Sequence, residues 1–366
     1  MASITKVSNG WRARWRTPEG ASRSKTFRLK VEAEQHLASV EHSKSAGGYI
    51  DSSAGRTTLA QWWARYENER VKRGTTAARD RVVMAKWWLP ALGGTALAKI
   101  TPGAVRGVVD KMRARLAAAT VRTNYGVLRG VLSAAVDAEV IARSPCRGIR
   151  LGSTRRGEPR HISADELHEL ADAMPVEYRA MAYVAGVLGL RWSEVAGLRV
   201  GRVDFLRRSL TVAETLTEVE GHPRFDEPKT RASRRTITVP PAVLDELSQH
   251  LTRRGRPGPD ELVFVAPDRG PLRASNFRQR VWSPALRRAG LDGLHFHHLR
   301  HSAAALMIEA GAHIETIKRR LGHSSIRVTS DVYGSLLPSI DEEVASDLDG
   351  LLGGSSRVTS VSRGPS

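Results

Sequence analysis

The stretch GLHFHHLRHSAAALMIEAGAH, beginning at Gly293, carries His295, His297, His298, His301 and His313, with Arg300 among the first four. Imidazoles at this density can ligate a metal, pass protons or pack on a helix. A metal site needs carboxylate or cysteine partners, and a cation such as Arg300 among the ligands raises the cost of binding another. His297 and Arg300 are three apart, so on a helix they share a face. His295 reads as a loop residue before that helix, His298 as exposed or just behind the site, His301 as a packed histidine and His313 as the surface start of the next helix. Upstream, in GVLGLRWSEVAGL, Gly189 breaks one helix, Arg191 follows, and Ser193 and Glu194 open another. An arginine at such a junction faces a cleft while its neighbours hold it, and Glu194 is placed to orient it. In EPKTRASRRTITV, Lys229 precedes an alternating strand over residues 236–239 and shares its hairpin with Arg231. In LGHSSIRVTSDVYG, His323 follows the helix stop Gly322, and Tyr333 lies ten residues beyond it.

The chain around these residues is basic. Among 366 residues, Lys and Arg number 57 against 38 Asp and Glu, a net charge of +19, and the pI is near 10.8. Such a field attracts polyanions: DNA, RNA or an anionic membrane. No apolar run has the length to span a bilayer, and the N-terminus shows no apolar signal region. The one cysteine, Cys146, forbids an internal disulfide and nearly excludes a thiolate zinc site. It reads as an inert surface or linker residue. These features predict a cytoplasmic protein.

Four segments must position the chemistry. In residues 1–50, WRARWR sends Trp11, Ala13 and Trp15 one way and Arg12, Arg14 and Arg16 the other. TPEG is a turn, SKTFRL a returning strand, and residues 31–43 a short helix. The first 30 residues hold eight basic residues and one acid, Glu19. That one-sided charge predicts a sheet laid on DNA, with Arg12, Arg14, Arg16, Lys25 and Arg28 as the contacts. A Gly/Ser-rich linker over residues 44–55 follows. Residues 57–148 read as helical, with Thr57 or Thr58 as one cap, Thr101 and Pro102 as another start, and the pairs Trp62/Trp63 and Trp87/Trp88 as core. Residues 143–163 read as an extended basic linker. The segment 161–338 opens with Ser163 and Glu166 as a capping box. Residues 339–366 read as an acidic helix, 340–352, and a tail of disordered composition. The fold class expected is multidomain and mainly α with small β-sheets: a sheet plus helix, a helical domain, and a mixed α+β catalytic domain.

Together GLRWSEVAGL, PKTRASRRTITVP, HHLRHSAAALM and LGHSSIRVTSDVYG, in that order over about 150 residues, resemble the tyrosine recombinases of the phage integrase type. The two preceding segments are similar to that family's arm-binding and core-binding domains. The resemblance implies a site of Arg191, Lys229, His297, Arg300, His323 and Tyr333. It departs from the family at His298, where Asp is common. Physical chemistry supports the same set. Attack on a phosphodiester builds negative charge on nonbridging oxygens, which the planar forks of Arg191 and Arg300 suit. His323 can donate to that phosphate or move protons. The phenol of Tyr333 is the nucleophile of the set, and its proton needs a cationic pocket or a base. Lys229 is the general acid for the departing 5′-hydroxyl.

The implied activity is site-specific recombination through a 3′-phosphotyrosine, with no cofactor, ATP or metal. A type IB topoisomerase-like enzyme and a catalytically silent DNA-binding regulator remain alternatives. The implied partners are double-stranded attachment sites of core and arm type, a homotetramer on DNA, a host DNA-bending protein and an excision factor. No membrane is among them.

Overall fold

The structure, a computed structural model of the chain, describes residues 2–17, 20–45, 54–69, 74–152, 160–228 and 231–322, and the isolated positions Ser325, Ala345, Leu348, Asp349, Gly350 and Leu352. It divides into two compact units, Met1–Arg155 and Arg156–Ser366. Most of the linker expected over residues 44–55, and most of the acidic helix and tail, lie outside the described residues.

In the first unit, β1 (Ser3–Val7), β2 (Gly10–Arg16) and β3 (Ser22–Phe27) form an antiparallel sheet with β2 in the middle. The alternation in WRARWR does what a period of two requires. Ala13 and Trp15 are buried against Ala33, Leu37 and Val40 of α1 (Lys30–Ser45), while Arg14 and Arg16 stay exposed. The strand β1 completes the sheet and was not part of the sequence reading. Between sheet and helix, His36 meets the rings of Trp15 and Phe27, both with centroids at 5.0 Å. Its Nε2 is buried and has no hydrogen-bond partner among the described residues. Burial, then the charge of Lys25, holds its pKa below the usual imidazole range.

The helical part of this unit comprises α2 (Leu59–Glu69), α3 (Gly74–Val83), a π turn over Met84–Trp88, α4 (Leu89–Leu92), α5 (Pro102–Arg113) and α6 (Ala118–Asp137). Thr58 caps α2: its hydroxyl accepts from Gln61 N–H at 3.3 Å while Gln61 Oε1 accepts from Thr58 N–H at 3.0 Å. Thr101 caps α5 with Pro102 at the first turn. The apolar stripe of α6, including Val121, Tyr125, Leu128, Val131 and Leu132, is buried. Trp62 and Trp88 pack onto it, and their indole N–H groups donate to the carbonyls of Val131 and Asn124 at 2.9 and 3.0 Å.

Two expectations are corrected here. Cys146 is buried, and Tyr125 donates to its carbonyl at 2.6 Å. The first part of the expected linker is packed. Ile149 and Leu151 lie against the helical core, and Arg113 and Arg122 donate to the carbonyls of Arg150 and Gly152 at 3.0 and 2.6 Å. The apolar side chains of an otherwise polar segment, and arginine donors for its backbone, account for the docking.

The second unit begins with α7 (Ala164–Ala173), whose Ser163/Glu166 capping box is complete, and α8 (Arg179–Gly186) and α9 (Trp192–Ala196). Then β4 (Val203–Asp204) and β5 (Ser209–Val212) pair antiparallel. A hairpin, β6 (Thr215–Val219) with β7 (His222–Asp226), turns at Glu220 and Gly221, both at positive φ, the geometry of a two-residue hairpin loop. The sequence reading had no strands there. β8 (Arg235–Thr238) returns to pair with β5, giving the order β4-β5-β8. The helices α10 (Pro241–Arg253), α11 (Ala274–Phe277), α12 (Ser283–Arg288), α13 (Phe296–Glu309) and α14 (Ile314–Leu321) complete the unit. One core runs from Ile162 to Leu299. No helix among the described residues is long and apolar enough to cross a membrane.

The pocketed His36 makes the N-terminal sheet pH-sensitive. Its folded pKa lies below the unfolded value of about 6.5, so the unfolded chain binds the proton first. Its contribution is complete above about pH 6.5 and is lost as the pH falls through the folded pKa. Hydrogen exchange of the β1–β3 amides should speed up in relative terms below that pH, and His36→Phe should flatten the dependence.

Candidate active site

Gly189 sets the place of Arg191. Its φ of +70° is left-handed, and a Cβ there would come within 2.3 Å of Leu321 Cδ2 and 3.3 Å of Ala303 Cβ. The turn from α8 to α9 is therefore pressed against α13 and α14. Arg191 then stands at the N-cap of α9 with its side chain 35% exposed. Glu194 grips it twice: Oε2 accepts from the Arg191 backbone N–H at 2.9 Å, and Oε1 from Nη1 at 2.9 Å. The predicted orienting role of Glu194 thus has a geometry.

Glu194 is itself buried, and its second partner is a residue the sequence reading passed over. Arg235 Nη1 and Nη2 donate to Oε1 and Oε2 at 3.1 and 3.0 Å, a bidentate pair. Burial pushes the Glu194 carboxyl up. The bonds and charges of Arg235 and Arg191 outweigh that push, and it sits below the usual carboxylate range. A signal for Arg235 was available. It alternates with Ile237 and Val239, both buried, so a strand period of two turns it inward.

On α13, Arg300 is 2% exposed and donates through Nη1 to the Gly189 carbonyl at 2.6 Å and through Nη2 to the Leu321 carbonyl. His297 stands one turn earlier and is exposed. The protein around its ring, then the cations Arg300 and Arg191, lower its pKa. A neutral imidazole there can donate at one nitrogen and accept at the other. Arg300 bonds the Gly189 carbonyl, two residues before Arg191, and both cations act on His297, so these three residues share one neighbourhood. His301 packs edge-on to His297, ring centroids 5.1 Å apart, and burial with the neighbouring histidines and Arg300 lowers its pKa to about 4. His298 accepts from His295 N–H at 3.2 Å, and His295 and His313 are the N-caps of α13 and α14. Among the described residues no three His, Cys, Asp or Glu side chains converge as a metal would need.

An aromatic cluster also locks the site from behind. Trp192, next to Arg191, packs edge-to-face on Phe296, next to His297, with centroids 5.2 Å apart. Phe277 and Trp282 complete the group, and Trp282 donates to the Leu294 carbonyl at 3.0 Å. Pairs of this kind are each worth about 0.5–1.5 kcal/mol beyond area burial. A cavity of about 540 Å³ lined by these rings and by His297 and Arg278 opens beside them.

Lys229, His323 and Tyr333 lie outside the described residues. In the N-terminal sheet, Arg12, Arg14 and Arg16 share the face away from α1, joined in register by Thr5 and Thr26, Ser3 and Ser24, and Ser22. Arg28 is exposed just past β3. Lys25 differs: it pairs with Ala13, so it belongs to the helix-covered face, at its rim over the Phe27 ring.

The fold thus sets a carboxylate-held arginine near a histidine and a second arginine on α13, a set of donors suited to the nonbridging oxygens of a phosphodiester. Residues 160–338 match the model of the phage integrase family, and the chain's relatives are integrases and tyrosine recombinases. A protein of Mycobacterium tuberculosis named as a prophage phiRv2 integrase is 29% identical over 331 residues, 87% of this chain and 87% of that one. The fold is similar to that of the Tn1549 transposon integrase in complex with transposon right end DNA, with a TM-score of 0.65 and 19% identity over 76% of this chain and 95% of the other. It is also similar to a lambda integrase tetramer bound to a Holliday junction, with a TM-score of 0.53 and 17% identity over 88% and 95%.

Because Glu194 is the counter-ion of a buried guanidinium, Glu194→Ala should destabilise the second unit by about 3–5 kcal/mol. Urea unfolding at pH 7 measures it, and Glu194→Gln should cost less because it keeps two acceptor lone pairs.

Proposed function

We propose that this chain, a site-specific DNA recombinase, cleaves and rejoins one strand at a time with Tyr333 as nucleophile. The observation that carries the reading is Arg191, fixed by Glu194, beside His297 and Arg300. In the proposed step the Tyr333 phenol oxygen attacks the phosphorus and passes its proton to the neutral imidazole of His297 or His323. The P–O5′ bond breaks, and the 5′-oxygen leaves protonated by Lys229. The 3′-phosphate stays on tyrosine until a 5′-hydroxyl of the partner duplex attacks and releases the phenol. Arg191, the more exposed cation, would meet the nonbridging oxygens directly, and Arg300 would add its charge from beneath. His297 and His323 would donate to the same phosphate or carry protons.

The likeness to integrases described on DNA supports double-stranded DNA as substrate, and the tetramer on a Holliday junction supports a tetramer of this chain on two sites. The open Arg/Ser/Thr face of the N-terminal sheet supports a second, arm-type contact, with the arginines on phosphates and the hydroxyls beside them. A host bending protein and an excision factor complete the proposal.

Two experiments test it. Tyr333→Phe should keep DNA affinity, which the basic surface supplies, and lose every covalent adduct on a nicked core-site duplex. An adduct with phenylalanine at 333 would remove the nucleophile from the proposal. Deleting residues 1–50 should leave adduct formation on the core site intact and abolish recombination of full attachment sites, because arm contacts act through effective concentration. Equal binding of an arm duplex by the full and shortened chains would rule that role out.

A further inference from the structure

Arg235 belongs to none of the residues assigned to the reaction, yet its guanidinium is bound on three sides. Two nitrogens hold Glu194. Nε donates to the carbonyl of Arg320, in the last turn of α14, at 2.6 Å. Nη1 also donates to the carbonyl of Ser233, at 3.1 Å, in the segment that follows Lys229. Gly322, at φ +66°, presses on the same group: a Cβ there would lie 3.1 Å from Arg235 Nη1 and 2.9 Å from the Ala232 carbonyl oxygen. The chain is thus drawn against Arg235 directly before His323.

The carboxylate of Glu194 takes four bonds. Oε1 accepts from Arg191 Nη1 and Arg235 Nη1, and Oε2 from the Arg191 N–H and Arg235 Nη2. The last torsion of a glutamate is broad and has no strong intrinsic preference. Its plane is therefore set by the planar fork that faces it, and that plane aims the side chain of Arg191. We propose that Arg235 is a positioning residue for strand cleavage. It acts through Glu194 on the direction of Arg191, and through the Arg320 carbonyl on the end of α14. A lysine in its place would keep the charge and lose the fork. This inference rests on the recombinase reading above.

The test compares the full chain with Arg235→Lys and Arg235→Met on a nicked core-site duplex. The readouts are DNA affinity, the rate constant for adduct formation, its pH profile and the melting temperature. Arg235→Lys retains a counter-ion for Glu194 and guards against a variant that fails to fold. DNA affinity should stay within about threefold while the adduct rate falls about a hundredfold, the scale set by a misplacement near 1 Å. In Arg235→Met the Glu194 carboxyl loses the first of the groups that hold its pKa down. Cleavage should then gain a fall on the acid side, and adding Glu194→Gln should abolish that extra fall. A rate within about threefold of the parent in folded Arg235→Lys overturns the proposal. So does a rate loss matched by equal losses of affinity and melting temperature with an unchanged pH profile, which marks a structural role only. Absence of any adduct with the parent chain instead overturns the recombinase reading.

Discussion

The carboxylate of Glu194 is the interaction on which the second unit's geometry depends. It is 2% exposed, where an isolated carboxylate would take up a proton rather than stay charged. It stays ionised because two arginines and a backbone N–H meet all of its acceptor directions. At an effective dielectric near 20, a charge pair at about 4 Å is worth about 4 kcal/mol, enough to oppose a desolvation cost of several kcal/mol when hydrogen bonds add to it. One buried anion thereby joins β8, α9 and the half-buried Arg191. The arrangement puts a cation at the surface whose direction is decided in the interior.

A second constraint acts at the end of α14. The last carbonyls of a helix have no partner within it, and its C-terminus carries partial negative charge. Here Arg235 takes the carbonyl of Arg320, and Arg300 takes that of Leu321. Gly322 turns the chain in the left-handed region. Arg300 also reaches the Gly189 carbonyl, so the same guanidinium joins the α8–α9 turn to α14. Two buried cations thus hold two stretches of backbone, which lead in sequence to Arg191 and to His323. After burial, the charge of Arg300 is the largest influence that lowers the pKa of His297.

Positive charge plays a different part in the first unit. The net charge of +19 attracts any polyanion, but attraction carries no register. In the N-terminal sheet the charge is ordered. Alternation buries Ala13 and Trp15 under α1 and leaves Arg12, Arg14 and Arg16 in a row on the other face, flanked by the hydroxyls of β1 and β3.

What the sequence determined is local. Caps and turns follow from neighbouring residues, so Thr101 with Pro102, Ser163 with Glu166, and Glu194 on Arg191 could be read from spacing. The alternation of WRARWR and the helical stripe of α6 were legible for the same reason. Motif order placed Arg191, His297 and Arg300 in one list, and a period of two already turned Arg235 inward. The tertiary structure alone decided the partners. Arg235 meets a carboxylate 41 residues away, Arg300 meets a carbonyl 111 residues away, and Trp192 meets Phe296 across two helices. It also buried Cys146 and bound the start of the expected linker to the helices, and it moved Lys25 to the face opposite Arg12. Local pattern says which way a side chain points. Only packing of distant segments says what it meets there, because desolvation and hydrogen-bond satisfaction are settled by the whole interior at once.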